Sequence, residues 1–169
     1  MASSLEDFPT PPAGTEHARA SQLVAAGEVE GLRANIWMGG SHSHVGELVS
    51  DAPLENSWII DCAGVMPIWY REQVGRWVAC VFEDVESRPS RLWHIEEVVK
   101  ATAEAVSIEA GPSDVIIVCQ HGMNRSGLMS GLLLRALGFE GEAAVSRIKE
   151  RRPGALSNLT FRGILLRGV

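Results

Sequence analysis

Asp114-Val-Ile-Ile-Val-Cys119-Gln-His-Gly-Met-Asn-Arg125-Ser-Gly-Leu-Met-Ser-Gly-Leu-Leu-Leu134 is the stretch on which the reading of this 169-residue chain turns. Val115 to Val118 are four consecutive β-branched apolar residues, the pattern of a short strand buried on both faces. From about Arg125 the apolar positions Leu128, Leu132 and Leu133 recur at helical spacing, and Gly138 stands where a C-cap belongs. Between strand and helix lies a loop that begins at Cys119 and ends at Arg125-Ser126. Where a strand feeds a short loop that opens a helix, backbone N–H groups converge and the peptide dipoles add partial positive charge, so the unit is suited to holding an anion.

Into that unit the sequence puts one thiol and one guanidinium. A tight loop of five intervening residues brings Cys119 and Arg125 to the same bound group. An environment that holds a phosphate also favours the nucleophilic thiolate. The planar fork of Arg125 matches two phosphate oxygens. The Ser126 hydroxyl is placed to hydrogen-bond the thiolate or to help it leave, and Gly122 supplies the positive φ that such a loop requires. The phosphate-binding set is thus Gln120, His121, Gly122, Met123, Asn124 and Arg125. Cys62 and Cys80 have no arginine at the same spacing.

At these residues the chain resembles the cysteine-dependent protein tyrosine phosphatases, most of all their dual-specificity branch, whose loop reads His-Cys-x5-Arg-Ser/Thr. The likeness runs from about Asn35 to Leu166 and is densest from Asp114 to Phe161. It implies a cysteinyl-phosphate mechanism with no metal or other cofactor. It also implies an aspartate some thirty to forty residues before the nucleophile, which protonates the leaving oxygen and then activates water. Asp84 fits that place, with Glu83 and Glu86 as neighbouring rivals. The sequence departs from the family at one position: its histidine before the nucleophile, which supports the loop and a low thiol pKa in relatives, is Val118 here.

The rest of the chain is compatible with one domain. An apolar fraction of 46% and a charged fraction of 21% are ordinary for a globular protein. No apolar run approaches a membrane span. The opening Met-Ala-Ser-Ser-Leu-Glu-Asp-Phe has no secretory pattern, and three cysteines argue for a reducing, cytoplasmic setting rather than a disulfide framework. A net charge of −6, with thirteen scattered arginines among fifteen basic residues, argues against nucleic acid or an acidic membrane as partner. Residues 1–20, rich in proline and small polar groups, read as a disordered leader, and 21–169 as the catalytic domain.

Along that domain, Leu23 to Leu32 supplies an edge strand and Asn35 to Gly40 a strand closed by glycines. Ser41-His42-Ser43-His44 reads as a polar loop with Ser43 capping a short helix to about Ser50. The two histidines lack a third ligand cluster, so no metal site is assigned. Ser57–Ala63 and Arg76–Phe82 read as further strands, with Cys62 in the core. Between them Trp69 and Tyr70 either flank the pocket, as loops of this region do in the resembled family, or simply pack. Ser90 is the expected N-cap of a helix to about Ala110, stopped by Gly111-Pro112. Glu142–Arg152 is an amphipathic helix stopped by Pro153-Gly154, and Asn158 is the N-cap of a terminal helix. The segment from Arg152 to Phe161 also resembles the family's equivalent turn, where an Asn-x-x-Phe arrangement braces the domain. Alternating strands and helices give an α/β domain with a central, largely parallel sheet flanked by helices.

The function expected from all this is a phosphomonoesterase acting on phosphorylated protein or a small phosphomonoester. Two alternatives stand beside it. The order His121-Gly122-x-Asn124-Arg125 is similar to the loop of cysteine-dependent RNA 5′-triphosphatases, and Val118 leaves room for a phosphate-binding module of weak catalysis. The oligomeric state leaves no mark in the sequence.

Overall fold

The structure, a computed structural model, describes residues 19–40, 54–64 and 66–167. The His42/His44 segment, the expected Ser43 cap and residues 1–18 of the leader lie outside the described residues.

Five strands form one sheet in the order β1-β2-β5-β3-β4: β1 Ser21–Val24, β2 Asn35–Gly40, β3 Ser57–Asp61, β4 Arg76–Ala79 and β5 Asp114–Cys119. β1 runs antiparallel on the edge, and every other pairing is parallel. The run Asp114 to Cys119 is buried at all six positions, as the apolar stretch from Val115 demands, because β5 is the middle strand and both sheet faces are covered there. Burying side chains such as Ile116 and Ile117 contributes about 1.5–3 kcal/mol each.

The two faces are covered unequally. The larger core layer collects Ile36, Met38, Ile60, Val115 and Ile117 from the sheet. Against them pack residues of α2 (Leu92–Ala105), α3 (Arg125–Ala136), α4 (Gly141–Arg151) and α5 (Leu159–Arg167). The opposite face holds a smaller cluster of Ile59, Met66, Tyr70, Ile116 and Val118, with Tyr70 supplied by the single turn α1 (Ile68–Arg71). Tyr70 is therefore a core residue, and the half-buried Trp69 packs beside it.

Two element ends follow the expected capping chemistry and others differ from it. Asn158 caps α5 through a bond from the Phe161 amide to its Oδ1 at 3.1 Å. α3 ends in a Schellman arrangement, in which Gly138 at φ 107° lets its own N–H reach Arg135 O and that of Phe139 reach Leu134 O, both at 3.0 Å. Ser90 does not cap α2. The N-cap position is Arg91, with no side-chain bond, and the helix stops at Ala105 instead of Ala110. The strands also end earlier than expected, β3 at Asp61 and β4 at Ala79, although single backbone bonds run on from the Cys62 amide to Val118 O and from the Cys80 amide to Asp61 O. Among the described residues no helix is long and apolar enough to cross a membrane.

Candidate active site

The site lies at the carboxyl end of β5, where parallel α/β sheets usually bind ligands. Cys119 is the last residue of that strand and Arg125 the first of α3. Chain direction therefore aims the first-turn amides of α3, which have no intrahelical partner, at the space around the loop. Cys119 Sγ lies 3.3 Å from Ser126 Oγ, close enough for the hydroxyl to donate to the thiolate. Arg125 Nη1 reaches the carbonyl of Phe82 at 3.5 Å, which anchors the guanidinium to the chain leaving β4.

Gly122 takes φ 71°, and a Cβ there would stand 2.5 Å from the Gly39 carbonyl carbon and 2.6 Å from the Gly40 nitrogen. The loop presses on the end of β2 at this point, so both the conformation and the contact exclude a side chain.

The turn between α4 and α5 braces the loop from outside. Arg152, wholly buried, donates from Nε to Gly122 O at 2.6 Å and from Nη1 to Arg19 O at 3.0 Å and Ser21 Oγ at 3.1 Å. The Leu156 amide donates to Met123 O at 3.1 Å, from a residue whose own φ is 60°. The Asn158 amide donates to Asn124 Oδ1 at 2.8 Å.

Asp84 is drawn into the same network. Its Oδ2 accepts from Asn124 Nδ2 at 3.1 Å and its Oδ1 from Asn158 Nδ2 at 2.9 Å. Of the three acidic candidates, Asp84 is thus the one joined to the loop. Glu83 lines an adjoining open groove of about 480 Å³ that also includes Val85, Arg88 and Arg91, and Glu86 is exposed. Asn124 spends its side chain on Asp84, Ser157 and Asn158, so only its backbone remains for an anion. Among the other loop residues, Gln120 and Met123 are half-buried and His121 is exposed.

Cys119, Arg125, Ser126 and Asp84, the candidates of the sequence, thus meet around one loop. Arg152 read only as a helix end, and Asn158 as a cap and, through the resemblance, as part of a bracing turn whose partners the sequence did not give. Nothing in their spacing reveals partners 30 and 74 residues away. Cys62 is core, as expected, and burial pushes its thiol well above the ordinary 9.0, helped by the nearby Cys119, Cys80 and Asp61 and opposed by Arg125. Val118 projects from the opposite face into the Tyr70 cluster.

No family model and no curated protein matches the chain by sequence. Solved structures do match. A mouse protein provisionally assigned as a dual specificity phosphatase, crystallised with zinc tungstate, superposes with a TM-score of 0.62 at 19% identity, covering 95% of this chain and 91% of that one. Human DUSP28 gives 0.62 at 18%, covering 95% and 93%. The human tyrosine phosphatase-like serine/threonine/tyrosine-interacting protein gives 0.61 at 14%, covering 89% and 95%. The fold is that of the dual specificity phosphatases.

Proposed function

We propose that the protein is a phosphomonoesterase of the dual-specificity type, acting on phosphorylated protein or a small phosphomonoester through a cysteinyl-phosphate. The observation that carries this reading is the set of groups gathered at one loop: Cys119 at the strand end, Ser126 Oγ beside its sulfur, Arg125 opening α3, and Asp84 held to the loop by Asn124. Cys119 Sγ attacks phosphorus in line while the loop amides from Gln120 to Arg125 and the Arg125 fork hold the equatorial oxygens. Asp84 gives a proton to the leaving oxygen and later takes one from the water that cleaves the phosphocysteine, and Ser126 eases departure of the thiolate.

Cys119→Ser tests the reading on a small aryl phosphate, where turnover is expected to fall by about a thousandfold or more. Unchanged turnover would remove the thiol from the mechanism.

One observation favours a second reading. Both oxygens of Asp84 already accept amide hydrogen bonds, as if the carboxylate were a structural acceptor. A polyphosphate leaving group needs little acid assistance, so the loop also suits an RNA 5′-triphosphatase. Asp84→Asn separates the two: a large loss on aryl or tyrosine phosphate supports the monoesterase, whereas release of phosphate from triphosphate-ended RNA that ignores the substitution supports the other. A phosphate-binding module without turnover would bind phosphate and hydrolyse none of these substrates.

A further inference from the structure

β4 is the last strand on its side of the sheet, and among the described residues no strand pairs with its outer edge. Alternate residues of a strand turn their backbone groups to opposite neighbours. The Cys80 and Phe82 amides donate inward, to Asp61 O at 3.0 Å and to Cys62 O at 3.3 Å. The N–H and C=O groups of Ala79 and Val81 therefore face outward, and both residues are exposed, Val81 by 56%. Folded proteins blunt such edges with charges, prolines or bulges, because an open edge recruits another strand. Here the run Trp77 to Phe82 holds neither a charge nor a proline.

The edge leads into the site. Val81 stands three residues before Asp84, whose carboxylate accepts from Asn124 of the Cys119 loop at 3.1 Å. Past β4 the edge opens into the groove of about 480 Å³ lined by Val81, Glu83, Val85, Arg88 and Arg91 among others. Glu83 and Val85 are the immediate neighbours of Asp84, so the groove and the acid share one stretch of chain. Val85 is exposed like Val81, and the two guanidiniums outweigh the one carboxylate. The lining is thus suited to an extended chain that carries apolar and acidic side chains.

We propose that this edge binds the substrate, an extended segment of a phosphorylated protein that adds to β4 as a further strand. An acidic side chain of the segment lies against Arg88 and Arg91, and its phosphorylated residue enters the loop at Cys119. The inference rests on the phosphomonoesterase reading and narrows it to phosphorylated residues that sit in locally unfolded chain. Main-chain pairing with Ala79 and Val81 supplies affinity whatever the sequence, and the groove supplies preference. A nucleotide or an RNA end has no main chain to offer the edge.

The test uses the full chain and two peptides, in which phosphotyrosine is followed or preceded by alternating valine and glutamate. Nitrophenyl phosphate is the reference ester. One of the two peptides is expected to exceed the ester about 100-fold in kcat/KM. N-methylation of that peptide at alternate amides is expected to lower kcat/KM by about tenfold each, while methylation of the amides between them changes little. This scan leaves the protein unaltered. Val81→Pro, which removes an outward N–H where an edge strand tolerates proline, should lower the peptide-to-ester ratio about tenfold. Arg88→Glu should reverse the preference for glutamate over lysine in the peptide.

Peptides no better than the ester, or methylation tolerated equally at every position, would overturn the proposal and leave the phosphomonoesterase reading standing. Absence of turnover on the ester and on both peptides would remove that reading and the proposal with it. A dimer in sedimentation that Val81→Pro dissociates would assign the edge to a second copy of the chain, and would likewise overturn it.

Discussion

Asn124 Nδ2 stands 3.1 Å from Asp84 Oδ2, joining the loop that follows β5 to the chain that leaves β4 across forty residues of sequence. The other end of the Asn124 amide accepts the Asn158 N–H at 2.8 Å, and Asn158 Nδ2 returns to Asp84 Oδ1 at 2.9 Å. Three loops from separate parts of the chain are thereby fixed to one another by neutral amides and a single carboxylate.

That triangle makes Asn124→Ala informative. If Asp84 serves as the acid, freeing it from the loop costs part of the roughly 10²–10⁴-fold that general acid catalysis supplies. The expected result is a fall of about 10–100-fold in kcat for esters with poor leaving groups and a much smaller fall for nitrophenyl phosphate. A leaving-group series measures this. An equal loss across the series would mean that Asn124 supports the loop and not the acid.

Asn158→Ala removes three bonds at once: the cap on the Phe161 amide and the donations to Asp84 Oδ1 and Val85 O. Loss of the cap costs about 1 kcal/mol and the stranded acceptors add a comparable amount, so urea unfolding should report a loss of about 2 kcal/mol. Asn158→Asp keeps the cap acceptor and surrenders the donors. It should retain about half the stability loss while placing a second carboxylate beside Asp84.

Two glycines with positive φ separate strain from contact. A Cβ at Gly138 (φ 107°) meets nothing within 4 Å, whereas one at Gly122 (φ 71°) meets the β2 backbone at 2.5 Å. Gly138→Ala should cost about 1 kcal/mol, the strain of the left-handed conformation alone. Gly122→Ala should cost more than twice that and displace the loop, seen as loss of inorganic phosphate binding by calorimetry. Equal costs would mean that the loop is free to move off Gly39 and Gly40.

How far the sequence could be read depended on the range of each interaction. Cys119, Gly122, Arg125 and Ser126 were legible because strand, loop and helix are contiguous and each states its own periodicity. Gly138 and Asn158 were legible as caps because capping acts within a few residues. The Ser90 cap failed for a physical reason: the signal Pro89-Ser90 marks where a helix could start, but the chain turns once more and α2 begins at Leu92. Arg152 on Gly122 O left no trace, since a long-range polar contact imposes no spacing on the chain, and Asn158 read as a brace only through the resemblance of its turn, with Asp84 as its partner still hidden. The unequal covering of the sheet was hidden similarly, because the unbroken apolar run of β5 states that both faces are covered but not by what.

Alkali should expose the burial of Tyr70 and Cys80. Desolvation raises Tyr70 from its ordinary 10.0 to about 12 and Cys80 from 9.0 to about 11. In each case the neutral form is the one the fold prefers. Below the ordinary value both folded and unfolded chains hold the proton, and the contribution to stability is fully present. As pH rises past 9.0 and then 10.0 the unfolded chain releases protons first, so stability declines until the folded groups titrate near 11 and 12. Urea unfolding at about pH 8 and at several points above 9 should therefore show a level region followed by a continuous fall. Tyr70→Phe should flatten the upper part of that fall, because phenylalanine keeps the ring packed against Trp69 without a proton to lose. A slope identical to that of the unaltered protein would show that Tyr70 ionises as readily folded as unfolded, and that α1 does not seal its cluster from water.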